Sequence, residues 1–322
     1  MGIQNEFNIL KKLEGKPVRQ LLKKGIFEGK PALWLNYIEG ISLDLKLRNS
    51  KGLEAGDFLK LAVGMAHQLK ILHDESIIHK DLNLRKFLVD QREGVHILDF
   101  QLSVNHEVKY LNFSNSDFIT GTFETISPEQ TGRVNWYVDN RSDLYSLGIL
   151  FYEMITGQSP FRCEAASEYI YAHLTEIPPS VLSLKKNIPV VLSNIIDKLI
   201  KKNPAERYQS VEGLIFDLEK CFETCEKGNI PFFKLATRDV NKKLKISEKL
   251  YGKEEKFNDI KKFFFDQSFP ELKMVMLEGS SGTGKNTMAY ALHSDLAKQN
   301  GIFLQGKFRQ DNVNKPLSAF VD

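Results

Sequence analysis

The chain has few cysteines, no long apolar run and almost no excess of either charge. Its three cysteines are too few, and odd in number, for a disulfide framework, and Cys221 and Cys225 lack the further ligands that a zinc site needs. No apolar segment is long enough to span a bilayer, and the first residues carry no signal-peptide pattern. These absences predict a cytoplasmic protein without a membrane span.

The charge balance also limits the choice of partner. The 44 basic and 41 acidic residues leave a net charge of +3, which is too balanced to attract nucleic acid or an anionic membrane surface. The densest basic stretch, residues 242–256, is interleaved with glutamate and apolar residues, as in a solvated linker. We therefore expect no nucleic-acid partner, and the length of 322 residues predicts about two domains.

Apolar periodicity predicts the regular elements of the first 222 residues. Spacings of three and four predict helices over 6–13, 57–72, 190–202 and 211–222, with Asp57 as the N-cap of the second helix. Residues 143–156 are apolar nearly all round, which predicts a buried helix. Apolar runs on either side of a polar turn predict hairpins, one from 18–26 with 32–38 and one from 87–89 with 95–98. The polar stretch 112–130 predicts a long functional loop.

Residues 77–101, IIHKDLNLRKFLVDQREGVHILDFQ, carry the strongest chemical signal in the chain. They contain a polar loop around Asp81, a hairpin, and an acidic turn at Asp99. Further motifs follow in a set order: Gly121-Thr122, Ser127-Pro128-Glu129, Asp143 and Arg207. Each motif is weak alone, but their order and spacing resemble the protein kinase family.

A longer resemblance points to one branch of that family. The stretches GTFETISPEQTGRVNWYVDNRSDLYSLGILFYEMITGQSPF and NPAERYQSVEGLIFDLEKC resemble the kinase domain of large bacterial signalling proteins. Those proteins join a serine/threonine kinase, an AAA-type ATPase, a GAF domain and a histidine kinase. The sequence LYGKE, followed by a P-loop, resembles their ATPase entry, so that the resemblance covers residues 6–320.

The resemblance implies the fold and the domain boundaries. We expect an α+β protein-kinase-like fold over 1–222, with a mostly helical C-lobe and a partial β N-lobe. A linker is expected over 223–250. An incomplete α/β P-loop NTPase unit, the N-terminal fragment of an AAA-type ATPase domain, is expected over 251–322.

The resemblance also implies roles for single residues. Asp81 orients the substrate hydroxyl, Asn83 is ordinary for this branch, and Thr122 faces Asp81. Asp99 holds Mg²⁺, and the backbone of Asn36 and Ile38 grips the adenine of ATP. Three further expectations follow in the same way: Glu6 is the helix glutamate that pairs with a strand lysine, Glu129 and Arg207 form a buried ion pair, and Asp143 holds the backbone of the loop.

The departures from the family pattern weaken the prediction of catalysis. Lys86 stands where the family has asparagine, and its ammonium has no acceptor for Mg²⁺. Gln101 stands where the family has glycine. The chain begins just before Glu6, so the glycine-rich loop and the strand lysine are expected to be absent. Lys86 is either a surface residue without a role, or its ammonium takes the cation position and allows ATP binding without metal.

A second nucleotide motif lies near the end of the chain. Gly279-Ser-Ser-Gly282-Thr-Gly284-Lys285-Asn286 fits a P-loop whose last position is changed from Ser or Thr to Asn. The glycines cradle phosphate and Lys285 reaches the terminal phosphates, while Asn286 is a bulkier magnesium ligand. Apolar patterns predict a helix over 254–265, a strand over 273–277, a helix over 286–298 and a strand over 301–305.

Four functions are compatible with these motifs. The leading prediction is a serine/threonine-kinase-family signalling protein with weak ATP and Mg²⁺ binding and impaired phosphotransfer, in the manner of a pseudokinase. One alternative is an active kinase with an unusual site. Another is a non-catalytic interaction module of a two-component-type pathway, and the last is a truncated reading frame of an ordinary kinase–ATPase. All of them predict ATP and a protein partner or substrate as binding partners.

Overall fold

The computed structural model describes most of the first 239 residues and part of the rest. The described residues are 2–48, 50–105, 121–134, 136–225, 230–239, 254–265, 274–280, 285, 288 and 292. The chain divides into two compact units, Met1–Lys242 and Lys243–Asp322. Among the described residues, no helix has the length and apolar character that a membrane span requires.

The first unit starts with a helix and a hairpin. Helix α1 is Gly2–Lys12, strand β1 is Leu21–Phe27 and strand β2 is Lys30–Leu35, and the strands pair antiparallel. Glu28 and Gly29 both have positive φ, 49° and 75°, which makes the tight turn that the sequence predicted. The predicted helix 6–13 was placed too late, because its first turn is held by polar contacts that apolar periodicity does not show.

A small sheet and a long helix follow. Strand β3 (Gly40–Ser42), helix α2 (Leu43–Leu47) and helix α3 (Ala55–Asp74) precede the short strand β4 (Ile77–Ile78). Strands β5 (Phe87–Asp90) and β6 (Val95–Ile97) form the second predicted hairpin and join β3 in a sheet of order β3-β5-β6. Strand β4 pairs with β7 (Val104–Asn105). Helix α3 begins at Ala55 with Glu54 as N-cap, so the predicted cap Asp57 lies in its first turn instead.

Five helices complete the first unit. They are α4 (Asn140–Thr156), α5 (Ala166–Thr175), α6 (Val181–Leu184), α7 (Val190–Leu199) and α8 (Val211–Cys225). Helix α4 is buried on nearly all sides, as its apolar sequence predicted. Gly148 lets α7 approach, because a Cβ there would lie 2.6 Å from the Cβ of Leu199.

Residues 230–239, which we call the docked tail, pack against the N-terminal end of α8. The Asp239 carboxylate accepts hydrogen bonds from the backbone amides of Gln209 (2.7 Å) and Ser210 (2.9 Å) and from the Ser210 hydroxyl (2.8 Å). The Asp217 carboxylate accepts from the Ala236 amide at 2.7 Å. These residues fall within the predicted linker 223–250, and this part of it belongs to the packed first unit.

The second unit contains one complete described helix. Helix α9 is Glu254–Phe265, which confirms the predicted helix over the same residues. Residues 274–280 have no strand assignment, so the predicted strand over 273–277 is wrong for its described part. The reason is that a strand is defined by the partner it pairs with, and none of the described residues pairs with this segment. Met288 and Leu292 are helical, within the predicted helix 286–298. The predicted strand 301–305 lies outside the described residues.

Candidate active site

Asp143 of α4 positions the loop that carries Asp81. Its carboxylate accepts hydrogen bonds from the backbone amides of His79 (2.8 Å) and Lys80 (2.9 Å). Lys80 has a φ of 68°, a conformation that costs a non-glycine residue energy and needs such support. The prediction that Asp143 holds the loop backbone is therefore confirmed.

Thr122 donates two hydrogen bonds to one carboxylate oxygen of Asp81. The Asp81 Oδ1 atom accepts hydrogen bonds from the Thr122 hydroxyl at 2.7 Å and from the Thr122 amide at 2.9 Å. Asn83 donates from Nδ2 to the same hydroxyl oxygen at 2.9 Å. The structure thus brings Asp81, Asn83 and Thr122 together, although their catalytic roles stay predictions.

Lys86 forms an ion pair with the other carboxylate oxygen of Asp81 and a second ion pair with Asp99. Its Nζ atom lies 2.9 Å from Asp81 Oδ2 and 2.5 Å from Asp99 Oδ2. Burial by itself would lower the pKa of Lys86, but the hydrogen bonds that its ammonium donates to Asp99 and Asp81, together with their negative charges, outweigh burial and raise the pKa. The ammonium therefore stays charged between two carboxylates. With 17% of its side chain exposed, Lys86 is not a surface residue, although its role in the cleft stays a prediction.

Asp99 lies in a turn, and both of its carboxylate oxygens accept hydrogen bonds within the protein. It has a φ of 64°, its Oδ1 accepts from the Gln101 backbone amide at 3.2 Å, and its Oδ2 accepts from Lys86. Burial alone would raise the pKa of Asp99, but the hydrogen bonds from Lys86 and the Gln101 amide, together with the positive charge of Lys86, outweigh burial and lower the pKa. The Asp99 carboxylate is therefore ionised and is already hydrogen-bonded within the protein.

Glu6 of α1 reaches the same turn. It is buried, and its carboxylate accepts a hydrogen bond from the Phe100 amide at 3.4 Å. Burial raises the pKa of Glu6. Among the described residues, its hydrogen-bond partners belong to the Asp99 turn, where the resemblance implied a strand lysine. The ring of Phe100 packs edge-on against the ring of His79, with centroids 5.7 Å apart.

Asn5 fastens α1 to the turn, and sequence reasoning missed it. Its Nδ2 donates to the carbonyl oxygens of Phe100 (3.3 Å), Gln101 (2.9 Å) and Ser103 (2.8 Å). Gln101 also lies against Gly2, because a Cβ at Gly2 would come within 2.6 Å of its Oε1. The available signal was an asparagine inside a helix, a residue that usually prefers caps and turns.

The predicted adenine-binding segment follows β2. The Asn36 carbonyl accepts from Arg19 Nε at 3.0 Å, and the Asn36 amide donates to the Gln20 carbonyl at 3.0 Å. A carbonyl oxygen has two lone pairs, so that of Asn36 retains one for a ligand. Ile38 is partly buried between β2 and β3. The adenine-binding role of these two residues stays a prediction.

The Glu129–Arg207 ion pair is confirmed. Arg207 Nη1 and Nη2 lie 2.7 Å and 2.9 Å from the two carboxylate oxygens of Glu129, and both side chains are fully buried. Ser142 donates its hydroxyl to Glu129 at 2.7 Å. The pair joins the segment after Thr122 to the segment before α8. Its bidentate geometry satisfies both buried charges.

The predicted P-loop in the second unit is described only in part. Gly279 has a φ of 155°, which favours glycine. Lys285 donates from Nζ to the carbonyl oxygens of Gly279 and Ser280, and thus folds back on the segment that precedes it. Gly282, Gly284 and Asn286 lie outside the described residues, so their phosphate-binding role stays a prediction.

Comparison with known proteins adds a family and several relatives. A family model described as "Protein kinase domain" matches residues 1–215. The chain is 36% identical over 230 residues, or 64% of its length, to the Hybrid signal transduction histidine kinase G of Dictyostelium discoideum. It is 30% identical over 181 residues, or 54%, to the Peroxide stress-activated histidine kinase mak3 of Schizosaccharomyces pombe. It is 29% identical over 189 residues, or 57%, to the Serine/threonine-protein kinase PksC of Streptomyces coelicolor. The matches span only 7%, 8% and 34% of these relatives, respectively.

Proposed function

This chain belongs to the protein kinase family, and from that premise we propose that it is a serine/threonine-kinase-type signalling protein whose own phosphotransfer is impaired. One observation carries the proposal: the Lys86 ammonium lies between Asp81 and Asp99, 2.9 Å and 2.5 Å from their Oδ2 atoms. Members of the family generally use ATP with Mg²⁺ to phosphorylate proteins. In this cleft, the two carboxylates that serve that reaction are bonded to a lysine.

The effect on rate is large for each affected group. Removal of one preorganised electrostatic group from an active site costs on the order of a hundred- to a thousand-fold in rate. Here Lys86 places a positive charge where the family has asparagine. The two oxygens of Asp81 accept hydrogen bonds from Thr122 and from Lys86. The losses do not multiply, because cooperating groups act as a unit. Together they support weak ATP and Mg²⁺ binding and slow transfer.

Two other functions each have an observation in their favour. The intact contacts of Asp81 with Thr122 and of Asp143 with the loop favour an active kinase with an unusual site. The well-packed helical part of the first unit, with its buried Glu129–Arg207 pair, favours a non-catalytic interaction module that binds another signalling protein. The impaired kinase remains our proposal, because it accounts both for the family match and for the charged lysine that bonds both carboxylates of the cleft.

The wider architecture is also a proposal. We infer a kinase-like domain over 1–222, a linker over 223–250 and the N-terminal fragment of an AAA-type P-loop ATPase domain over 251–322. The P-loop motif and the helical state of Lys285, Met288 and Leu292 support the last part. Two relatives are named histidine kinases, which supports placing this chain in the large kinase, ATPase, GAF and histidine-kinase proteins of two-component-type signalling.

A phosphotransfer assay tests the proposed function. The purified chain is incubated with labelled ATP, Mg²⁺ or Mn²⁺, and a generic Ser/Thr substrate, beside the Asp81→Asn variant. We expect transfer by the wild type that does not exceed that of Asp81→Asn. Transfer at an ordinary kinase rate of about 1–100 per second, lost in Asp81→Asn, would overturn the proposal and favour the active kinase.

A further inference from the structure

The cleft already holds a positive charge between the two carboxylates, where the family uses a metal. Mg²⁺ demands near-octahedral oxygen ligands at about 2.0–2.1 Å. Asp81 and Asp99 each have one oxygen bonded to a protein donor, Thr122 and Gln101 respectively. Their other two oxygens are both bonded to Lys86, whose ammonium offers no lone pair.

We propose that the Lys86 ammonium is a built-in replacement for the divalent cation, and that the native cleft does not take up Mg²⁺ between Asp81 and Asp99. A nucleotide that enters this cleft therefore does so without metal. The inference rests on the proposed function, since it takes this cleft to be the nucleotide site. It concerns the cation and not the rate of transfer, so the two are tested separately.

The position of Lys86 is fixed by the backbone on both sides. Its amide donates to the Asn83 carbonyl at 3.0 Å, and its carbonyl accepts from the Leu98 amide at 2.8 Å. The side chain then reaches the carboxylates with only 17% of its surface exposed. A covalently attached group has a high effective concentration at its partner, so a dissolved ion must compete with a cation that never leaves.

The charges explain why a divalent cation should not bind beside the Lys86 ammonium. Asp81 and Asp99 contribute two negative charges and Lys86 one positive charge, so the cluster already carries only one net negative charge. A divalent cation at the same place would also meet the ammonium at close range and be repelled. Replacement of Lys86 by asparagine would remove that repulsion, leave two carboxylates uncompensated and supply an amide oxygen.

Titration with Mn²⁺, followed by the loss of its free-ion EPR signal, tests the inference without any activity measurement. Mn²⁺ is suitable because it binds the same carboxylate and carbonyl oxygens as Mg²⁺. The full chain is compared with Lys86→Asn and with the control Arg85→Asn. Arg85 is the exposed neighbour of Lys86, so the control makes the same change in net charge.

We expect Lys86→Asn to lower the apparent Kd for Mn²⁺ by about tenfold or more relative to the wild type. The reason is that the variant removes the repulsion between the ammonium and the metal ion. Arg85→Asn is expected to behave as the wild type, and Asp99→Asn in the Lys86→Asn background to abolish the gain. Wild-type Mn²⁺ binding that equals that of Lys86→Asn and is lost in Asp99→Asn would overturn the inference.

Two features keep the test decisive. If Lys86→Asn does not fold, Lys86→Gln supplies an amide oxygen on a longer side chain, and the wild-type and Asp99→Asn titrations alone can still contradict the inference. Binding of a fluorescent ATP analogue is measured in parallel and is expected to be unchanged by EDTA in the wild type. EDTA-sensitive binding without phosphotransfer, lost in Asp99→Asn and kept in Lys285→Ala of the P-loop motif, would overturn the inference alone, whereas fast metal-dependent transfer would overturn the proposed function too.

Discussion

At the scale of single residues, the chemistry of this protein depends on which charges are compensated. Lys86 compensates Asp81 and Asp99, whereas Glu6 is buried beside a backbone amide and has a raised pKa. A buried group that finds hydrogen bonds but no opposite charge stays neutral more easily. His173 is the clearest such group outside the cleft.

The first prediction concerns the pH dependence of stability through His173. Its ring is fully buried between the Tyr145 hydroxyl (2.9 Å) and the Phe123 carbonyl (3.0 Å), and burial lowers its pKa to about 4. The unfolded chain takes up this proton near pH 6.5, before the folded chain does. The free energy of unfolding should therefore fall between about pH 6.5 and pH 4, by up to roughly 3 kcal/mol.

Urea unfolding at pH 7 and at pH 4.5 measures this effect. The variant His173→Gln cannot titrate, so its loss of stability between the two pH values should be smaller than that of the wild type. The surface variant His67→Gln serves as the control and should keep the wild-type pH dependence, because His67 is about half exposed beside Glu219. An identical pH dependence in His173→Gln and the wild type would contradict the prediction.

At the scale of elements, one polar side chain makes several of the hydrogen bonds that hold each of two segments. Helix α1 is fastened to the Asp99 turn by Asn5, which donates to three carbonyl oxygens. The docked tail is fastened to the start of α8 by Asp239. In both cases partly buried backbone groups would lose a hydrogen-bond partner if the side chain were removed.

The second prediction is that Asn5→Ala loosens α1. The loss of a donor to three carbonyls should cost about 1–3 kcal/mol and raise the exchange rate of α1 amides. The control is Asn8→Ala on the same helix, whose exposed side chain accepts a hydrogen bond from Gln4. Hydrogen exchange followed by mass spectrometry measures both. Equal protection of residues 2–12 in the two variants would show that Asn5 does not hold the helix.

The third prediction is that Asp239→Ala releases the docked tail. The carboxylate caps the amides of Gln209 and Ser210 next to the N-terminus of α8, where a negative charge is favourable. Its loss should cost about 1 kcal/mol. It should also make the tail a substrate for limited proteolysis. Thr237→Ala in the same tail is the control, since Thr237 is exposed. Unchanged cleavage of Asp239→Ala would contradict this view.

At the scale of the whole molecule, the chain is two compact units, of which the first contains the family match. Within that unit, the Glu129–Arg207 pair joins segments 78 residues apart in sequence. Both charges lie in the interior, so removal of one partner alone should destabilise the fold. A single change leaves the other charge buried and alone.

The fourth prediction compares this pair with a surface pair. Arg207→Met should destabilise the first unit by about 3–5 kcal/mol, because the Glu129 carboxylate remains buried without its partner. Lys16→Gln, which breaks the partly exposed pair with Glu75, should cost less than about 1 kcal/mol. Midpoints of urea unfolding measure both. Similar midpoints for the two variants would show that the buried pair contributes no more than the surface pair.

Local pattern was enough for the helices and hairpins of the first unit. Period-two and period-3.6 signals placed β5 with β6, α4 and α8, because burial of one face repeats along the sequence. The start of α1, the N-cap of α3 and the docked tail were missed. The start of α1 and the docked tail depend on hydrogen bonds between residues far apart in the chain, which leave no periodic trace. The N-cap of α3 is Glu54, whose side chain makes no capping hydrogen bond, so the usual capping preference pointed to Asp57 instead.

The sequence by itself determined the inventory of charged groups, including Asp81, Asp99 and the substituted Lys86, together with the order of motifs that identifies the family. Only the tertiary structure decided that these three side chains meet, and that both carboxylates bond to one ammonium. The physical reason is that an ion pair depends on distance in space. Here the 3₁₀ turn Leu84–Lys86, the β5–β6 hairpin and α4 bring within 3 Å of the Lys86 ammonium two carboxylates that lie 5 and 13 positions away in the sequence.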